Sequence, residues 1–492
     1  MSKEKIIPII IFVIFLGLIL GATIYHDPGF GLMDDHANLQ IVSEMRAAAN
    51  PVQWFFESLW RDLTSWGAFR PVYRLWVIGA YSVFYNMPLG LYLVIAVVNM
   101  GALLIWGMVF YKMINVRKED FSLTVFLFPL SFFLFTPFWN IFMYISVKEK
   151  FLVFFTAVSL YFFQKSYETM KKKDIVWAFV FCLIGLFSKP TGIYLLGTYT
   201  VFAFCDWLFF KREPKLSRLY FFLNAGAGVL YAWFTTAVQL QGGYTKSYGT
   251  NLAGKIMMVP AIIKLLFILG LVVFIFSAVR VLMKKKEGVP FYLMMPLGML
   301  AYLSILIPWG SQTYLLPPVT PFVLGLFFPV YAWFNRKHMI TRVLANGVLI
   351  VLLGFVFTGI INPRISKVGD IAKAERFIKE KTRTGEASRY FFPPPFEESF
   401  HALIYFTKQD IVYLGDRQLR KEMLRADGKN YLLVNDACTA IQLKDVRPEK
   451  EIFANGTWRI MRLVQADGEE APFLLEFPKT CMQKLKQKIK NL

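Results

Sequence analysis

The chain has 492 residues, 56% of them hydrophobic and only 18% charged, with a formal net charge of +21. Soluble globular domains run at about 45–50% apolar and about 25% charged, so this balance excludes an ordinary soluble enzyme and, more firmly, a disordered chain. A charge of that sign and size points to nucleic acid unless the cations have other work, so their positions decide the matter.

Residues 6–25 form an uncharged run of twenty, preceded by Lys3 and Lys5 and followed by no A-x-A site. That length crosses about 30 Å of hydrocarbon, whereas the apolar part of a cleaved signal peptide is about 7–15 residues. An uncleaved signal anchor with a cytoplasmic N-terminus is expected. Further apolar runs fall at 89–111, 121–138, 150–166, 175–190, 192–210, 219–240, 256–281, 290–308, 315–334 and 343–362. Eleven spans are therefore expected, all helical, because backbone groups in lipid must be satisfied within their own segment. An odd count puts the C-terminus outside.

Of the 30 Lys and Arg in residues 1–363, 20 lie on or beside the cytoplasmic connections of this topology, in clusters such as Lys171-Lys172-Lys173 and Lys284-Lys285-Lys286. That is the positive-inside pattern. The charge is a topology signal, no nucleic-acid partner is expected, and the expected location is a multi-pass inner (plasma) membrane.

The first outer loop, 26–88, holds Trp54, Trp60, Trp66 and Trp76, and its segments 37–48, 51–63 and 71–84 read as short interfacial helices. The tryptophans read as an aromatic anchor belt. Within the loop, Gly29-Phe30-Gly31-Leu32-Met33 leads into Asp34-Asp35-His36. Adjacent carboxylates near a membrane surface are costly to bury and are natural candidates for base or metal work. The plain alternative is an N-cap for the helix that follows. Three more motifs share the outer side: Arg70-Pro71-Val72-Tyr73-Arg74, Lys148-Glu149-Lys150 and Ser188-Lys189-Pro190. Each alone reads as an interfacial anchor. Together they put carboxylates and cations around one helical module, an arrangement suited to a phosphate beside a general base.

Residues 364–492 change to a soluble composition, with 24 basic and 18 acidic residues. Helical patterns at 371–381, 396–407 and 416–425 alternate with extended ones at 388–392, 410–414, 431–434 and 458–464, which predicts a small extracytoplasmic α/β domain. The tail 479–492 is basic and amphipathic, either resting on the membrane or solvated. Cys182 and Cys205 read as packing residues inside spans, while Cys438 and Cys481 share the outer domain and are placed to bridge in an oxidising compartment. The four histidines, His26, His36, His338 and His401, show no metal-ligand spacing. Asn455-Gly456-Thr457 matches the glycosylation sequon, a triplet common by chance.

The order of these features resembles the C-type (GT-C) membrane glycosyltransferases, which use lipid-phosphate-linked sugars. Asp34-Asp35 through Arg70-Pro71-Val72 is similar to the Asp-Asp … Arg-Pro-Leu pattern of O-mannosyltransferases that carry tetratricopeptide repeats. Glu149 followed by Phe151-Leu152-Val153-Phe154-Phe155 resembles the start of span four in the lipid A aminoarabinose transferases. Ser188-Lys189-Pro190-Thr191 is similar to the Ser-Lys-Glu-Thr of this superfamily, and Phe400-His401-Ala402-Leu403-Ile404-Tyr405-Phe406 to a Leu-x-Phe-Tyr helix of bacterial members. Glu149 stands where Asp is usual, and Pro190 where Glu is common.

The resemblance implies a GT-C-like fold and sugar transfer from a polyprenyl-phosphate donor to a hydroxyl on a glycan, lipid or protein acceptor, at the outer face. It implies Asp34 or Asp35 as base, with Asp34 favoured. Arg70, Arg74, Lys148 and Lys189 become phosphate partners, and Glu149 positions the acceptor or a metal. A divalent cation is the one cofactor it leaves open. Two other readings stand beside it. A transporter or lipid flippase calls for mid-membrane charges and repeated halves, whereas here the charges mostly hug the outer interface, with Lys264 the best mid-span exception, and no two-fold repeat is seen. A polysaccharide polymerase or ligase calls for arginines in a late loop, whereas here the long loop comes first. The later outer motifs Gly242-Gly243-Tyr244-Thr245-Lys246 and Gly310-Ser311-Gln312-Thr313-Tyr314 read as turns.

Overall fold

The computed structural model describes residues 3–28, 35–66, 68–85, 87–114, 148–210, 214–241, 268, 272, 339–386 and seven strands between 389 and 475. Eleven α-helices lie among the described residues. They are α1 (Lys3–His26), α2 (Asp35–Ala47), α3 (Pro51–Trp66), α4 (Pro71–Val83), α5 (Pro88–Ile114), α6 (Glu149–Thr169), α7 (Lys172–Ser188), α8 (Ile193–Cys205), α9 (Pro214–Gln241), α10 (Met339–Val356) and α11 (Asn362–Arg383). Strands follow as β1 (Arg389–Phe392), β2 (Asp410–Tyr413), β3 (Asn430–Asn435), β4 (Ile441–Leu443), β5 (Val446–Asn455), β6 (Trp458–Gln465) and β7 (Phe473–Leu475).

The three short helices expected in the first loop are present as α2, α3 and α4, each within a few residues of its predicted bounds. Prolines at Pro51, Pro71 and Pro88 open α3, α4 and α5, where the missing N–H costs nothing because the first-turn donors have no helical acceptor. Asn50 caps α3 by accepting from Val52 N at 3.1 Å and Gln53 N at 3.2 Å. Among the described residues one helix, over Pro88–Val109, is long and apolar enough to cross a membrane, with a mean hydropathy of 2.2. The expected spans at 121–138, 256–281, 290–308 and 315–334 lie outside the described residues, bar two positions. So do the expected helices at 396–407 and 416–425, the tail, His338, His401, Cys438 and Cys481.

Helices α5 to α9 pack as neighbours. The tightest seam joins α6 to α7, where Ser159 Oγ donates to Ala178 O at 2.7 Å and lies 2.9 Å from Tyr199 OH of α8. Phe163 stacks on Tyr199, with ring centroids 4.9 Å apart, and meets Tyr220 of α9 at 5.0 Å. At the far end of α8 the helix widens into a π-helical turn, Asp206–Phe210, whose buried Asp206 carboxylate accepts from Ser217 of α9. A buried carboxylate is tolerable only with such a donor.

The composition break at 363/364 falls inside one helical run. Helix α10 passes through a π-helical turn at Phe357–Ile361 directly into α11. Pro363 sits in the first turn of α11, where it does not stop a helix.

Strands β2-β1-β3-β6-β5 form a mixed sheet, parallel across β2-β1-β3 and antiparallel across β3-β6-β5, while β4 and β7 pair separately. Strands β4, β5 and β7 are additions to the elements expected from the sequence pattern. Bulges between Pro448 and Lys450 and between Glu451 and Phe453 break the alternation of β5, so its run Val446-Arg447-Pro448-Glu449-Lys450-Glu451 shows no period of two. Helix α11 packs against β5, β6 and α1.

Candidate active site

The Arg-Pro step starts the site. Proline disfavours helical backbone in the residue before it, so Arg70 stays outside the helical region (φ −131°, ψ 57°) and α4 begins at once. Arg70 and Arg74 are then four residues apart, on one face. Both face Asp62 of α3. Arg74, buried, pairs directly with the Asp62 carboxylate, and Arg70 Nη2 lies 3.9 Å from the same oxygen. One carboxylate thus serves two guanidiniums and leaves the group net positive. Arg70 Nε is buried with no hydrogen-bond partner among the described residues.

Asp62 is not among the residues that the sequence motifs single out. It lies three residues beyond the buried Leu59 and next to the buried Leu63, so it falls on the inward stripe of an amphipathic helix. A charge on a buried stripe is the one signal in the sequence that marks it.

The same α4 carries Tyr73 toward α2. Asn38 Nδ2 is 3.1 Å from both Tyr73 OH and Tyr81 OH, and Tyr73 OH is 3.3 Å from Asn38 Oδ1. This buried knot locks α2 onto α4. It sets the place of Asp35, the first residue of α2. Asp34, and the side chains of Asp35 and His36, lie outside what the structure describes, so cap and base both stay open for this pair.

Lys148 Nζ sits 5.1 Å from the Tyr73 ring centre, a cation–π contact. Next to it Glu149 opens α6, where the helix dipole favours an acid, and Lys189 closes α7, where the dipole favours a base. The two meet: Lys189 Nζ is 2.7 Å from Glu149 Oε1, and both are less than 10% exposed. The sequence offers them as separate participants; the structure brings them together as a buried pair. Glu149→Gln keeps an acceptor for Lys189 but removes its countercharge. A loss of about 1.5–3 kcal/mol is expected, the worth of a charged hydrogen bond, read as a lower thermal midpoint in detergent.

Aromatic contacts join the two ionic groups. Phe69, beside Arg70, meets Phe187 at 6.0 Å, two residues before Lys189, and Phe234 of α9 at 5.6 Å. Phe151 of α6 meets Trp76 at 4.9 Å and Tyr73 at 6.3 Å. Five of the seven candidates, Arg70, Arg74, Lys148, Glu149 and Lys189, are thereby linked through α3, α4, α6 and α7.

An apolar groove of about 690 Å³ runs along α3, lined by Phe55, Leu59, Trp60, Leu63, Phe69 and Phe234 among others, with Glu57 and Arg61 as the charged residues on its walls. Its walls also include the chain neighbours of Asp62 and Arg70, Leu63 beside Asp62 and Phe69 and Pro71 on either side of Arg70.

A divalent cation does not fit the described carboxylates. Asp62 faces two guanidiniums and Glu149 faces an ammonium, and no three His, Cys, Asp or Glu converge among the described residues.

No family model matches the chain, and no curated protein matches it. Solved structures of the Archaeoglobus fulgidus oligosaccharyltransferase do. The form tethered by a disulfide to an acceptor peptide containing the NVT sequon is 12% identical, with a TM-score of 0.46, over 86% of this chain and 69% of that one. The apo form is 12% identical at a TM-score of 0.47, over 87% and 69%. The complex with zinc and sulfate is 13% identical at 0.43, over 81% and 62%. A likeness at this level carries no argument about activity, and the chemistry rests on the residues above.

Proposed function

We propose that this chain is an integral-membrane glycosyltransferase of GT-C type, which moves a sugar from a polyprenyl-phosphate donor to an acceptor hydroxyl at the outer face of the membrane. One observation carries the reading: the wall of an apolar groove includes Phe69 and Pro71, the chain neighbours of Arg70, and Arg70 and Arg74 share a single carboxylate. That combination suits an amphiphile with a long hydrocarbon chain and an anionic head. The isoprenoid occupies the groove along α3, and its phosphate meets Arg70, whose buried Nε wants an acceptor. Large apolar side chains stand exposed on α1, α9 and α10, among them Val13, Ile14, Trp233, Leu230, Val343 and Val351, which suits helices bathed in lipid.

The reaction then needs two things. The acceptor O–H loses its proton to the carboxylate of Asp34 or Asp35 as its oxygen attacks the anomeric carbon. The bond from that carbon to the phosphate oxygen breaks, and the lipid phosphate departs with the electron pair. Arg70, with Arg74 behind it and Lys148 nearby, offsets the charge that grows on the leaving phosphate. Glu149 holds Lys189 in place at the same end of the bundle.

The test is purified protein in lipid nanodiscs with radiolabelled polyprenyl-phosphate sugars and candidate acceptors. Donor consumption that falls sharply in Arg70→Ala is the expected result. No consumption of any donor, together with movement of a lipid from one leaflet to the other, would favour a flippase instead.

A further inference from the structure

Resting on that reading, we infer that helix α11 braces the chain leaving α1, and so positions the loop that carries Asp34 and Asp35. Three residues of α11 meet the end of α1, and they are seven apart: Asn362, Gly369 and Arg376. Seven residues are almost two full turns, so the three form one stripe along the helix. At the bottom of the stripe, Asn362 Oδ1 lies 3.2 Å from His26 Nε2. At the top, Arg376 forms an ion pair with Asp27. Between them the two backbones touch: a Cβ on Gly369 would fall 2.4 Å from His26 O and 3.0 Å from His26 Cβ.

Glycine is costly within a helix, and here only its missing side chain allows the approach. The other end shows a matching cost. Asp27 has φ +44°, in the left-handed region that glycine prefers, and it closes α1 through a bond from its N–H to Thr23 O at 3.0 Å. Its carboxylate is what meets Arg376. Other charges of α11 are matched within the helix, Lys373 with Asp370 and Lys379 with Glu375, so the stripe stands apart from them.

The consequence follows from chain length. Seven Cα-to-Cα steps lead from Asp27 to Asp34, a reach of at most about 25 Å when fully extended. At the loop's other end, Asn38 is knotted to Tyr73 and Tyr81. The described residues that flank the two aspartates, Asp27 and Asn38, are therefore each held, by α11 and by α4. Because α11 also packs on β5 and β6, the sheet is mechanically joined to Asp27. Gly369 and Arg376 are positioning residues, acting through His26 and Asp27.

The experiment uses the full-length protein in nanodiscs and reads three quantities: hydrogen exchange of peptides covering 24–47, kcat and donor KM, and the global unfolding midpoint. Gly369→Ala sets a Cβ against the His26 backbone, so some loss of midpoint is expected despite the better helix former, and Arg376→Asp, at an exposed pair, is the variant in which the midpoint should hold. Exchange of the 24–47 peptides should rise, and kcat should fall by about 10–100-fold, the cost of a misplaced catalytic group, with donor KM little changed. Arg376→Asp, which breaks an exposed pair, should give about a two- to fivefold effect in the same direction. The swap Asp27→Arg with Arg376→Asp should recover part of it. Unchanged exchange in both single variants overturns the brace, as does raised exchange with normal kcat. If the wild-type protein turns over no donor, the exchange data still decide whether α11 pins this segment, and only the enzymatic reading fails.

Discussion

Asp34→Asn or Asp35→Asn should lower the rate of sugar transfer by about 10²–10⁴-fold, the usual contribution of a general base. The substitution is chosen because asparagine caps a helix as well as aspartate does. A residue that only caps α2 would tolerate it, with unchanged stability and turnover. A residue that takes the acceptor's proton would not, because the amide has no usable basicity. The two roles open to this pair thus give opposite results in one variant. Alanine at the same position gives the complement, since loss of a cap costs about 1 kcal/mol of stability. The measurement is kcat at saturating donor, with the unfolding midpoint recorded alongside. Near-normal turnover in both asparagine variants would remove the pair from the chemistry.

The second large effect belongs to Asp62. Asp62→Ala leaves the buried guanidinium of Arg74 without its carboxylate, and breaking a buried pair from one side costs about 3–5 kcal/mol. The double change Asp62→Leu with Arg74→Leu should recover most of that stability, because it also removes the stranded charge. Arg61 and Glu44 provide the contrast. They too form an ion pair, at 2.9 Å, but with side chains 57% and 33% exposed. Screening and side-chain entropy limit such a pair to about 1 kcal/mol or less, so Glu44→Ala should barely shift the midpoint. Equal shifts for Asp62→Ala and Glu44→Ala would mean that Arg74 finds water or another acceptor, and the arginine clamp would not exist. Asp62→Ala also releases Arg70. Donor affinity should therefore fall in the stabilised double variant as well, which separates the clamp's role in binding from its role in folding.

Much of this arrangement is legible in the amino-acid sequence. The helices of the first loop announce themselves through spacing and through proline at the first turn, signals that depend only on neighbours along the chain. Strands β1, β2, β3 and β6 are visible for the same reason. The bulged β5 is not, because a bulge shifts the inward face by one residue and erases the alternation that marks a strand. Asp62 does not stand out in the sequence, because its importance comes from Arg70 and Arg74 on another helix. Glu149 and Lys189 stand out for their charge, but at forty residues apart nothing in the sequence says that they touch.

By itself the sequence determined the apolar segments, the uneven placement of the basic residues, the short helices of the first loop and the choice of residues able to carry chemistry. These follow from local rules: hydrophobic run length, helical period and the backbone preferences of proline. Only the tertiary structure decided which charges meet. It placed Asp62 between two arginines, paired Glu149 with Lys189, set a groove against Phe69 and Pro71, and laid Gly369 on the backbone of His26. The reason is physical. A charge in a low-dielectric interior is governed by the partner within a few ångströms, and in a folded chain that partner can come from any distance along the sequence.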